Sequence, residues 1–143
     1  MEKLDNRNAA LNLLNEFMVA MNTWEIEFFQ ARNDSLQKGE DDSSLKVAYG
    51  EKLKMILDHF AIEDKANFGR LIDLGCTNPP TYDVGSDVIE VVSSKSQEVI
   101  VGVEQTVGAE VSSRITLIFK KGDWEIKKKE SLGYDEKWKR SPL

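Results

Sequence analysis

The spacing of apolar residues changes period once along this chain, and that change constrains the fold more than any other feature. Through residue 74, apolar side chains recur every three or four positions; from Val88 onward they alternate. The first period puts side chains on one stripe of a helix and the second puts them on one face of a strand. Leu11, Leu14, Met18, Met21, Trp24 and Phe28 define one stripe, predicting a helix from about Asn8 to Gln37 that ends near Gly39. A helix that long in a globular protein needs something concave wrapped around it. The turn GEDDSS follows, with Asp42, Ser43 or Ser44 available as N-cap. A second helix carries Leu45, Tyr49, Leu53, Ile56 and Phe60 on one face. A shorter third helix is expected around Glu63–Leu74, with Phe68, Leu71 and Ile72 inward and Gly75 closing it.

The second half reads as a strand meander: VIEVVSS, EVIVGVEQT, VSSRITLIFKK and DWEIKKKES are β-branched and separated by short polar turns. Val99, Val101 and Val103 share a face, as do Val111, Ile115, Leu117 and Phe119. KKGD at 120–123 predicts a tight hairpin. Beyond it, Trp124 and Ile126 point inward, and Glu125, Lys127 and Lys129 are expected to point outward. Helices first and strands afterwards make an α+β class with segregated elements. The expected shape is a cone, with about four antiparallel strands curled around the first helix and Gly102 marking a bend or bulge. Residues 1–143 are read as one domain, a size that buries most of its apolar surface.

Composition excludes several function classes. No apolar run reaches the roughly 20 residues of a membrane-spanning helix, and the N-terminus MEKLDNRNAALNLL is too polar for a secretion signal. One cysteine, Cys76, and one histidine, His59, argue against a disulfide framework or a zinc site. No cofactor is expected, and the location implied is a reducing cytoplasm. Up to Asp83 there are 15 acidic against 9 basic residues, a balance of −6; the remainder has 10 of each. An acidic helical half disfavours nucleic acid, whose phosphates need a positive footprint. It suits either a basic protein partner or simple solubility.

Residues 76–83, CTNPPTYD, lie at the seam between the two periods. Two prolines fix φ and hold Asn78 and Pro79 extended, and Asp83 is placed to bond backbone amides in the next turn. The PPTYD corner, the VIEVV and V-x-V strands, and the RITLIFKKGDWEIKKKE hairpin before a Trp-containing tail together resemble an NTF2-like fold. More narrowly, they resemble the NTF2-fold immunity proteins of bacterial polymorphic toxin systems. Pro79, Pro80, Tyr82, Asp83, Arg114, Leu117, Gly122, Trp124, Ile126, Lys127 and Trp138 carry the likeness.

That resemblance implies a non-enzymatic cytoplasmic protein that binds a cognate toxin domain made by the same cell. Contact surfaces consistent with it are the acidic turn Glu40, Asp41 and Asp42, and the corner around Tyr82, Asp83 and Asp87. Each of these also has a bland reading, as a solvated helix connection or a stiff joint. NTF2-like cones also house isomerases and dehydratases, for which Asp58, His59, Tyr82, Asp83 and Glu90 are the candidates, although none has a clear partner for acid–base work. A third reading is a small-ligand binder whose pocket is lined by Trp24, Phe28, His59, Tyr82 and Trp124. At these spacings aromatics also serve as core. The tail GYDEKWKRSPL folds back over the sheet or serves a homodimer, with Ile100, Ile118, Lys127 and Lys129 near such a contact.

Overall fold

The structure, a computed structural model, describes residues 2–143. Helix α1 spans Glu2–Gln37. Its inward stripe is Ala10, Leu14, Phe17, Met18, Met21, Trp24 and Phe28, all buried, with Leu11 half-buried beside them. Gly39 terminates it at φ 69°. The Glu40 amide donates to the Ser35 carbonyl at 3.0 Å and the Gly39 amide to Leu36 at 3.1 Å. That pair of bonds is a Schellman motif, which satisfies carbonyls the helix end would otherwise orphan.

Helix α2, Ser43–Phe60, buries Leu53, Leu57 and Phe60. Asp42 occupies its N-cap position without a side-chain cap bond. Asp41 serves the helix end instead, its Oδ1 accepting from the Ser43 amide at 3.0 Å and hydroxyl at 2.8 Å. After α2 the chain turns extended at Ala61, which bridges to Ile126, and the Ile62 amide donates to the Ile126 carbonyl at 2.9 Å.

The expected third helix is not formed: only a 3₁₀ turn at Gly69–Leu71 appears there. The cause is local competition from polar side chains. Asp64 Oδ1 accepts from the Asn67 amide at 2.7 Å, and Asn67 Nδ2 donates to the Ile62 and Lys127 carbonyls, both at 2.9 Å. Asn67 is fully buried by this work, while Ile72, expected inward, is exposed.

Five strands follow rather than four: β1 Val88–Lys95, β2 Glu98–Glu104, β3 Ser112–Lys120, β4 Asp123–Leu132 and β5 Trp138–Ser141. They pair antiparallel in sequence order. The additional strand is the tail, which pairs with β4 from Lys129↔Ser141 to Leu132↔Trp138. The hairpin at Lys121 and Gly122 has φ 54° and 85°, the left-handed pair that a tight two-residue turn requires. The sheet's inner face, with Val99, Val101, Val103, Ile115, Leu117, Trp124 and Ile126, forms one core with α1 and α2. Val111, expected on that face, lies exposed ahead of β3.

Two bulges bend the sheet. One leaves Val92 unpaired in β1, opposite the segment where Gly102 pairs with Glu90, so the bend lies beside Gly102 and not on it. The other inserts Lys127 into β4, because Leu117 pairs with Ile126 while Thr116 pairs with Lys128. An extra residue reverses the side-chain alternation beyond it. Lys129 therefore points inward and is buried, against its outward expectation.

Candidate functional site

The seam between helices and sheet is pinned by a carboxylate on α1. Glu25 shares the apolar stripe, four residues after Met21 and three before Phe28, and is completely buried. Its Oε1 accepts from the Thr81 amide at 2.7 Å. Its Oε2 accepts from the Thr77 amide at 2.7 Å, the Thr77 hydroxyl at 3.2 Å and Arg70 Nη2 at 3.0 Å. Arg70 also donates to the Gly75 carbonyl at 3.1 Å and lies over the Trp24 ring at 5.1 Å. A buried carboxylate persists only when paired and hydrogen-bonded, and Glu25 meets both conditions.

Asn22 adds a second tie, donating from Nδ2 to the Tyr82 carbonyl at 2.6 Å. The Tyr82 ring packs edge-on against Phe17, 5.4 Å between centroids. Asp83 forms the turn expected of it, its Oδ1 accepting from the Gly85 amide at 3.0 Å. Asp87 closes the same turn by accepting the Asp83 amide on Oδ2 at 2.9 Å. Burial pushes the Asp87 carboxyl above its usual value; the amide bond works against that shift and the nearby Asp83 charge adds to it.

Below this corner lies a cavity of about 510 Å³, walled by Pro79, Thr81 and Tyr82 on one side and by Val103, Gln105 and Ser113 on the other. Gly108, at φ 88°, closes the rim, with space for a Cβ limited by Pro79 Cγ at 3.1 Å. Lys129 forms the floor: its Nζ donates to Tyr82 Oη at 3.0 Å and sits 4.6 Å from the Tyr82 ring centre.

The pocket expected from sequence is largely dispersed. Trp24, Phe28 and Trp124 are core. Trp24 Nε1 donates to the Tyr49 carbonyl at 2.8 Å, Phe28 stacks on Tyr49 at 5.0 Å, and Trp124 packs on Phe119 at 5.4 Å. His59 is exposed on α2, edge-on to Phe60. Only Tyr82 of that set reaches the cavity. Of the acid–base candidates, Asp58 pairs with Lys54 at 2.6 Å on the surface and Glu90 is exposed on β1. Lys129 and Ser113, which do line the cavity, carried no such expectation. Among the described residues no three His, Cys, Asp or Glu side chains converge as metal ligands.

Asp42 of the acidic turn and Thr77 and Asn78 of the corner border adjoining depressions. Glu40 and Asp41 are exposed, and Asp42 lies 3.7 Å from Arg32 and 3.8 Å from Lys46. Asp42, Arg32, Asn33 and Cys76 border one shallow depression. Asn33, Phe29, Thr77 and Asn78 border the next, and Thr77 and Asn78 are also cavity rim. A continuous surface thus runs from the α1–α2 turn to the cavity mouth.

This architecture of two helices in a five-stranded antiparallel sheet, with the PPTYD corner at its mouth, agrees with the comparison of the chain with known families. The model of the NTF2 fold immunity protein family matches residues 9–142. The chain belongs to that family. It is also 33% identical over 130 residues to the immunity protein RhsIA of Dickeya dadantii (strain 3937), an alignment covering 90% of this chain and 92% of the relative. No solved structure gives a significant match. The match covers the hairpin, the corner and the tail together, so they belong to one shared fold.

Proposed function

We propose that this chain binds a cognate toxin domain and neutralises it by occlusion, in the cytoplasm of the cell that makes both, with no chemistry of its own. Membership of the immunity family across nearly the whole chain carries this reading. The face from Glu40 to the cavity mouth is the proposed contact surface. Glu40 and Asp41 project from it, and Asp83 and Asp87 stand at its far side beside Tyr82. Tyr82 itself is buried, so its role there is to shape the cavity wall. Acidic groups along this surface favour a basic partner, since complementary charge speeds encounter and restricts partner choice. The cavity lining holds no carboxylate or imidazole among the described residues, which favours occlusion over acid–base catalysis. A second copy docking on the outer sheet face would use Ile100, Ile118 and Lys127, without Lys129, which is turned inward.

The deciding experiment is a stoichiometric titration. A candidate cognate toxin domain is assayed for activity against increasing amounts of the purified protein. Occlusion predicts a break at equimolar ratio and rescue of co-expressing cells. Protection at amounts far below equimolar would point to an enzyme, and no protection at any ratio would remove the proposal.

A further inference from the structure

Lys129 is buried, yet it takes part in no ion pair among the described residues. A buried ammonium is costly unless a counter-charge or several acceptors offset its lost hydration. Lysine carries three donors, and the Tyr82 hydroxyl takes one of them. Lys129 also borders the depression that holds Glu25 and Leu143, and its charge acts on the Asp87 carboxyl without forming an ion pair with either side chain. Glu25 is held by Arg70, Thr77 and Thr81, and Asp87 by the Asp83 amide.

Lys129 instead faces the cavity, where it is the only charged lining residue among the described ones. Thr81, Ser113 and Ser131 hydroxyls and the Gln105 amide lie on the same walls, and Val103, Val111 and Pro79 supply apolar surface. A cation at the floor, polar groups around it and apolar walls above make a pocket for an anionic head on an apolar stem. The volume is within the roughly 300–1,000 Å³ typical of small-ligand sites.

We propose that this cavity is a receptor for one carboxylate seated on Lys129 Nζ. It is carried either by a free small acid or by an acidic side chain of the protein docked over the mouth. The second source rests on the toxin-binding reading above; the first does not. The bulge at Lys127 sets which lysine faces the cavity, Lys129 rather than its neighbour Lys128.

The test follows backbone amide resonances of Val103, Gln105 and Ser113 in the full-length protein during titration with acetate, butyrate and benzoate, with benzamide as the neutral match for benzoate. At least one acid should shift them saturably, and benzamide should bind about tenfold or more weakly relative to benzoate, a difference of about 1.4 kcal/mol. Binding should be lost in Lys129→Met. Ala109→Trp, which fills the exposed mouth without touching Lys129, should abolish it as well and decides the matter if the first variant does not fold. No shift with any acid, equal binding of benzamide and benzoate, or undiminished binding in a folded Lys129→Met would overturn the proposal. In the presence of the toxin domain, benzoate that weakens toxin binding identifies the docked chain as the carboxylate's source. Benzoate that binds while leaving toxin affinity unchanged identifies a free acid. If the toxin does not bind at all, the titration of the protein alone still decides.

Discussion

Glu25 on the first helix and Thr81 in the proline corner are joined by a 2.7 Å hydrogen bond, across 56 positions of sequence, with the carboxylate completely buried. This bond and its companions to Thr77 and Arg70 hold the corner against α1 and so set the position of the cavity wall. Glu25→Ala should cost about 3–5 kcal/mol, because it takes the carboxylate partner from a half-buried guanidinium and two backbone amides. Chemical denaturation measures it; a loss below about 1 kcal/mol, the scale of an exposed ion pair, would show that the clamp is not structural.

Tyr82 and Lys129 should respond asymmetrically. Lys129→Met removes a buried charge and replaces it with an apolar group of similar length, a change that is often neutral or stabilising. Tyr82→Phe keeps the ring but takes away the acceptor of the Nζ bond, which should cost about 1.5–3 kcal/mol. A Lys129→Met variant that loses more stability than Tyr82→Phe would contradict this account of the pair.

Acid stability should reflect two opposed carboxyls. The Asp87 carboxyl is raised, chiefly by burial, so its contribution to stability is present below the usual Asp range and is lost as pH rises through its folded value. Partial burial opposes the shift at Asp64, yet the Asn67 amide and Arg140 hold that carboxyl below its usual value. Its contribution is present above the usual Asp range and lost as pH falls through the lowered value. Asp87→Asn should therefore match or exceed the parent at neutral pH and lose that advantage on acidification. Asp64→Asn should be weaker at neutral pH, with the gap closing in acid. Urea titrations across pH read both, and a constant offset in either variant would contradict the assignment.

Gly108 and Gly122 have nearly the same positive φ but different surroundings. A Cβ at Gly122 meets nothing within 4 Å, whereas at Gly108 it meets Pro79 Cγ at 3.1 Å. Gly122→Ala should cost the backbone strain alone, about 1 kcal/mol. Gly108→Ala should cost more, and should also shift the amide resonances of the cavity rim. Equal losses at both positions would show that the rim yields freely.

Much of the fold was legible because burial imposed a clear period on Leu14–Phe28 and on Val99–Val103. The periodicity predicts a third helix because Phe68 and Leu71 keep helical spacing, whereas the Asp64 and Asn67 side chains hold the backbone in turns. The fifth strand leaves little trace in the sequence because WKRS is short and charged; its Trp138 lies against Arg114, at 4.2 Å, and adds no alternating pattern. Glu25 was detectable in principle, since a carboxylate on an apolar stripe needs a buried partner. Lys129 was not, because the bulge that turns it inward leaves no mark in a run of three lysines.

The proposed interface is the acidic face from Glu40 to the cavity mouth, with a basic toxin domain docked on it. Calorimetric titration of that domain with the parent protein and with the Asp41→Lys, Asp87→Lys double variant, at low and high salt, tests it most directly. One-to-one binding that weakens with salt is expected, with at least about a tenfold loss in the folded variant, equivalent to about 1.4 kcal/mol. Binding with unchanged affinity and unchanged salt dependence in the variant would place the interface elsewhere on the fold, and the absence of any binding by the parent would contradict the immunity mechanism itself.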